Sequence, residues 1–129
     1  MIVRHFRDED RAALQQMHEA QNLNYPFPEL SSPNFMVRAV LEDNGKVEMA
    51  MLLRRTAETY LLMDPRIGTA REKMGKILAL EIETNKAAKS QGLTDKHCWI
   101  SPTIAEYFGA IITRFGWQES RWKSFFKEL

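Results

Sequence analysis

Cys98 is the only cysteine in 129 residues, so the chain holds no internal disulfide and a cysteine-based zinc site has too few ligands. A lone thiol fits a reducing compartment and predicts a cytoplasmic location. Glycine and proline are sparse and no biased tract interrupts the chain, which excludes collagen-like and low-complexity classes. The longest apolar runs, such as MAMLL at 49–53, fall far short of the roughly 20 residues a membrane span needs. The opening MIVRHFRDED meets charge at once, unlike a secretory signal. A formal net charge of +1 supplies no global field for nucleic acid.

What is present is globular material. Hydrophobic residues make 44% and charged residues 27% of the chain, enough to predict one domain over residues 1–129 that buries roughly two-thirds of its unfolded surface. IVRHF (2–6) alternates like a half-buried strand, and Asp8 is positioned to cap a helix over residues 9–20, where Ala13, Leu14, Met17 and Ala20 form one stripe. NLNYPFPELSSP (22–33) breaks that helix, with Pro26 and Pro28 set beside the exposed rings of Tyr25 and Phe27. FMVRAVLE (35–42), DNGK (43–46) and VEMAMLLRR (47–55) form a hairpin, because Asn and Gly both tolerate positive φ.

TYLLMD (59–64) reads as the next strand. A helix then runs over about 69–91, burying Met74, Ile77, Leu78 and Ile82 and stopping at Gly92. KHCWIS (96–101) is a further strand, and Pro102 opens a helix to about residue 114 with Phe108, Ile111, Ile112 and Phe115 inward. GWQESRWKSFFKEL (116–129) closes the chain with aromatics of strand type. Strand, long helix and strand in succession predict a crossover unit of an α/β fold.

This order resembles the GNAT superfamily of acyl-CoA-dependent N-acetyltransferases over nearly the whole chain. The cues are IVRHFRDEDRAAL, the hairpin VLEDNGKVEMAMLL, MDP before the long helix and RFGW after the next. The resemblance implies a mixed, mostly antiparallel sheet with a central β-α-β crossover and flanking helices. It implies acetyl-CoA as acyl donor and a small-molecule or protein amine as acceptor. Direct attack on the thioester would be assisted by backbone N–H groups near Leu62 and Met63.

In the family, a Q/R-x-x-G-x-G/A loop holds the CoA pyrophosphate on backbone N–H groups at a helix N-terminus. Here it aligns with Ala70-Arg71-Glu72-Lys73-Met74-Gly75, of which Gly75 matches. Arg66, Arg71, Lys73 and Lys76 surround Glu72, and such cations could replace lost backbone donors. The implied cofactor-binding set is Leu62, Met63, Arg71, Lys73, Met74, Gly75 and Lys76; a solvated basic helix start is the alternative.

Ile112 stands where the family's acid tyrosine is expected, and Tyr107 is the tyrosine on that helix. Tyr107 is the candidate general acid, against a role as an edge-of-core ring. Glu58 is the candidate base, one residue out of register with Thr59 in the matching place, and Glu48 is a second; a solvent-facing charge is the alternative. Ser101 could orient an amine or cap the helix beside Pro102. His97 and Cys98, adjacent in a strand, face opposite ways and cannot act as a nucleophile pair. Tyr25, Phe27 and Phe35 lie where the family covers its acceptor.

Two other function classes stay open. One is a catalytically inactive binding or structural protein on the same scaffold; under either reading a homodimer is an open arrangement. The other, nucleic-acid binding through RRT at 54–56, lacks interleaved aromatics.

Overall fold

In the computed structural model, which describes residues 1–121 and 123–129, β1 (Ile2–His5), β2 (Phe35–Asp43) and β3 (Lys46–Arg54) form a three-stranded antiparallel sheet in that order. Asn44 and Gly45 take φ of 49° and 75°, the two left-handed positions of a tight turn whose twist matches the strands it joins. The hairpin appears where the Asn-Gly pair predicts it. Arg4 sits opposite Val40, which places the fully buried Val40 over the core with Leu14 of α1 (Arg11–Gln21) and Leu30 of the following loop.

The helix cap expected at Asp8 is not formed: Asp8 points into solvent, α1 has no side-chain cap bond, and the buried carboxylate is Asp10, which reaches back to the start of the 3-10 turn Asp8–Asp10 that precedes α1. Asp10 accepts from the Arg7 backbone N–H at 2.7 Å and from both terminal nitrogens of Arg4 at 2.8 Å. Arg4 Nε also donates to Glu42 at 2.8 Å, so one guanidinium ties β1 to β2 and to the helix start. Asn34, the other buried polar residue, donates to the Gly92 carbonyl at 2.9 Å, and its own carbonyl accepts from the Arg55 N–H at 2.8 Å. With the Arg54–Asp95 pair at 2.7 Å, these bonds hold Gly92–Asp95 in the first of two compact units, Met1–Ala57 with Gly92–Asp95.

The second unit is Glu58–Gln91 with Lys96–Leu129. It contains α2 (Ala70–Ser90), β5 (Lys96–Cys98), α3 (Pro102–Ile112) and a final 3-10 turn over Thr113–Phe115. β4 (Ala57–Thr59) and β5 are neighbours in a two-stranded sheet, with α2 between them in sequence. The strands thus fall into two sheets rather than the single sheet expected. The architecture is mixed α/β with three α-helices.

Several sequence expectations shift here. The strand expected over 59–64 is only β4, ending at Thr59: Tyr60, Leu61, Leu62 and Met63 are all exposed, so no burial of either face holds a ladder there. The strand over 96–101 shortens to β5. Residues 117–121 and 123–129 lie outside helix and strand, and Phe125 is 92% exposed. Their apolar residues at 117, 125, 126 and 129 do not follow a two-residue period; Trp122 lies outside the described residues.

On α2, Met74 and Ile77 are half-buried as expected, but Leu78 and Ile82 are exposed. The covered face carries Met74, Ile77 and Glu81 instead, and Glu81 is held there by an ion pair to Lys96. Gly92, at φ 73°, ends the helix run as predicted. On α3, Phe108, Ile111 and Ile112 are half-buried, as is Phe115 in the turn after it. No helix among the described residues is long and apolar enough to cross a membrane.

Candidate functional site

Beyond Thr59 and Cys98 the ladder of the small sheet stops, and a cleft of about 410 Å³ opens beside both strand ends. Its walls are Tyr60, Leu61 and Met63 after β4, Ile77 and Leu80 on α2, Trp99 and Ile100 after β5, Ile104, Phe108 and Ile112 on α3, and Trp117. Helical spacing explains the contribution of each helix: Ile77, Leu80, Glu81 and Thr84 fall on one face of α2, and Ile104, Phe108 and Ile112 recur every four residues on α3. Polar atoms come from Thr59, Glu81, Thr84, Cys98 and Ser101. A cleft of this volume, mainly apolar with a few polar groups, has the character of a small-molecule site.

The cleft's charged group is Glu81. Its Oε2 accepts from Lys96 Nζ at 2.9 Å, and the two side chains are only 15% and 11% exposed. Lys96 Nζ also donates to Thr84 Oγ1 at 3.2 Å and lies 5.1 Å from the Trp117 ring centroid, a cation–π contact. Lys96 lines a second cavity of about 820 Å³ with His97, Glu106, Trp117 and Ser120, whereas Glu81 lines the first. Cys98 borders both. Burial pushes its thiol above the ordinary range, and Glu81 adds to that, so the thiol stays protonated at neutral pH.

The start of α2 is a capping box. Thr69 Oγ1 accepts from the Glu72 N–H at 3.3 Å, and the Glu72 carboxylate accepts from the Thr69 N–H at 2.7 Å. Those bonds hold the Glu72 carboxyl below its usual range, the backbone N–H contributing most. The Lys73 N–H is bonded to the Thr69 carbonyl, and Lys73 Nζ to the Pro65 carbonyl at 2.5 Å. Arg66 is paired with Asp64 at 2.8 Å. Of the four cations expected to gather here, two are thus committed locally, while Arg71 and Lys76 are exposed on the first turns of α2.

The remaining candidate residues are scattered. Met63 and Ser101 line the cleft, and Ser101 Oγ lies 2.8 Å from Thr103 Oγ1. Leu62 is 93% exposed. Met74 is half-buried on α2, and Gly75 is open to solvent. Tyr107 is 73% exposed and is not among the cleft's walls, whereas Ile112 is. Glu58 accepts from the Tyr60 hydroxyl at 2.7 Å on an exposed edge, and Glu48 is an exposed residue of β3. Tyr25 and Phe27 belong to the first unit, where they meet the His18 ring edge-on at 5.1 and 5.6 Å. Among the described residues His18 Nε2 is buried there without a hydrogen-bond partner.

Two features went unread in the sequence and had signals. Thr69-Ala70-Arg71-Glu72 is the T-x-x-E pattern of a capping box. Glu81 falls four residues after Ile77, on the same helical face, which marks it as a covered carboxylate in need of a cation. Among the described residues no group of three or more His, Cys, Asp or Glu is placed to hold a metal ion. Comparison with models of protein families, with curated proteins and with solved structures finds no match.

Proposed function

We propose that the chain is a GNAT-like acyl-transfer protein, in which the cleft takes the acyl-pantetheine end of acetyl-CoA and an amine attacks the thioester directly. One observation carries this: the cleft opens where a strand-helix-strand unit's two strands stop pairing, walled by apolar side chains from both helices. Met63, Ile77, Leu80 and Phe108 would line the arm, and Arg71 as a planar fork and Lys76 as a point charge would meet its phosphates in place of the Thr69 N–H engaged by Glu72.

Acetyl-CoA supplies the activated acyl group. The chain's own part is to exclude water with its apolar walls and to hold the reacting centres together. Residues 60–63 follow β4 outside any strand, so their N–H groups are not committed to a ladder and could polarise the thioester carbonyl. Ser101 hydroxyl, on the cleft wall, would orient the amine or a water. Tyr107 and Glu58 have no part in this scheme.

A second reading, cofactor binding without transfer, is favoured by the Glu72 carboxylate at the helix start, which opposes phosphate, and by Ile112 on the cleft wall where the family's acid tyrosine would stand. Calorimetric titration with acetyl-CoA and CoA, followed by an assay of free thiol across a panel of amines, separates the two. Binding with amine-dependent thiol release supports transfer; binding without it leaves the inactive scaffold.

A further inference from the structure

We infer that the cleft selects a cationic acceptor, a primary ammonium carried on an apolar, ring-sized body, with Glu81 as the group that receives the ammonium. The inference rests on the reading of the cleft as the transfer site and adds the chemical class of the acceptor; for transfer the ammonium gives a proton to solvent, its nitrogen then bonds the acyl carbon, the C–S bond breaks, and the second amine proton is lost as the CoA thiolate leaves.

The cleft has no Lys, Arg or His on its walls, and Glu81 is the ionised group that faces it. Lys96, which lines the second cavity rather than this one, compensates that charge: its Nζ meets Glu81 Oε2, Thr84 Oγ1 and the Trp117 ring. The carboxylate is therefore paired well enough to be kept in a covered position, and it, not its cation, is a wall residue of the cleft. A cation entering the cleft would share Glu81 with Lys96, whereas an anion would meet Glu81 with no wall cation to offset it.

The rest of the lining fixes the body of the ligand. Tyr60, Trp99, Phe108 and Trp117 supply aromatic faces, which favour both an apolar ring and an ammonium near it. Thr84, beside Glu81 on α2, offers its hydroxyl oxygen as a further acceptor for an ammonium N–H, at the cost of loosening its bond from Lys96. An amine with a polar or acidic body would have to desolvate groups that these walls leave unpaired.

The test uses three ligands of one shape, phenethylamine, phenethyl alcohol and phenylacetate, titrated calorimetrically into the full chain without acetyl-CoA. The wild-type protein should bind the amine at least tenfold tighter than the alcohol and the carboxylate most weakly. Glu81→Gln should weaken the amine about tenfold and leave the alcohol unchanged. Lys96→Gln, which leaves Glu81 uncompensated, should tighten the amine, an opposite sign that a merely structural ion pair would not give. Phenylacetate binding as tightly as phenethylamine to the wild-type chain overturns the inference, as does an amine affinity indifferent to Glu81→Gln. Failure of acetyl transfer with the ligand order intact would count against the transfer reading alone, since these titrations contain no acyl donor.

Discussion

The Glu72 carboxylate accepts the Thr69 backbone N–H at 2.7 Å while Thr69 Oγ1 accepts the Glu72 N–H at 3.3 Å. Two donors of the helix start, the Thr69 and Glu72 N–H groups, are thus taken by the chain's own side chains.

Thr69→Ala should cost about 1 kcal/mol of stability, the usual worth of an N-cap hydroxyl. Glu72→Ala, which removes the carboxylate and frees the Thr69 N–H, should tighten acetyl-CoA about two- to fivefold at low salt, the scale of an exposed charge interaction. That gain should shrink as salt rises. Chemical denaturation and calorimetry at two ionic strengths check both.

The Asp10 carboxyl is held at about 2, below its ordinary 3.8, chiefly by the Arg4 hydrogen bonds and then by the Arg7 backbone N–H. A carboxyl lowered in the folded state binds its proton more readily when unfolded. Its stabilisation is therefore complete above about pH 4 and is lost as pH falls toward and through 2. Urea melts across that window should show the loss. Asp10→Asn should remove much of the pH dependence and lower stability at neutral pH, with Arg4 keeping only its Glu42 partner.

His18 is held between Tyr25 and Phe27 with its Nε2 buried and unpartnered among the described residues. His18→Phe keeps a ring in the same slot and deletes the unsatisfied atom, so it should raise stability by about 1 kcal/mol. A thermal or denaturant midpoint that falls would show that the imidazole nitrogen is satisfied in solution.

Tyr107, exposed and off the cleft wall, should be dispensable. General acid catalysis is worth roughly a hundredfold, so Tyr107→Phe should change turnover by less than about threefold in any amine assay that shows transfer. A hundredfold loss would restore it as the acid.

The hairpin was legible because Asn44-Gly45 demands a particular turn, and α2 because Thr69, the long amphipathic run and Gly92 agree on its ends. The buried face of α2 was not, since Leu78 and Ile82 are as apolar as Ile77; only the Glu81–Lys96 pair decides the rotation, and that pairing joins residues 15 positions apart. The strand at 59–64 was misplaced because a run of apolar residues without alternation carries no register. Of the candidate site, Met63 and Ser101 came to the cleft; Glu81 shares the helical face of Ile77, but the cation that lets it stay covered, Lys96, is remote in sequence.

The central claim is that the cleft receives an acyl thioester. Ser101 is exposed on the cleft wall and its side chain makes no cap bond to α3, so Ser101→Trp should fill the mouth without unfolding the unit. In calorimetric titration, wild-type protein should bind acetyl-CoA, and Ser101→Trp should bind it at least tenfold more weakly with an unchanged circular dichroism spectrum and melting midpoint. Equal affinity in the two proteins, or no binding by the wild-type chain at millimolar acetyl-CoA, would contradict the claim.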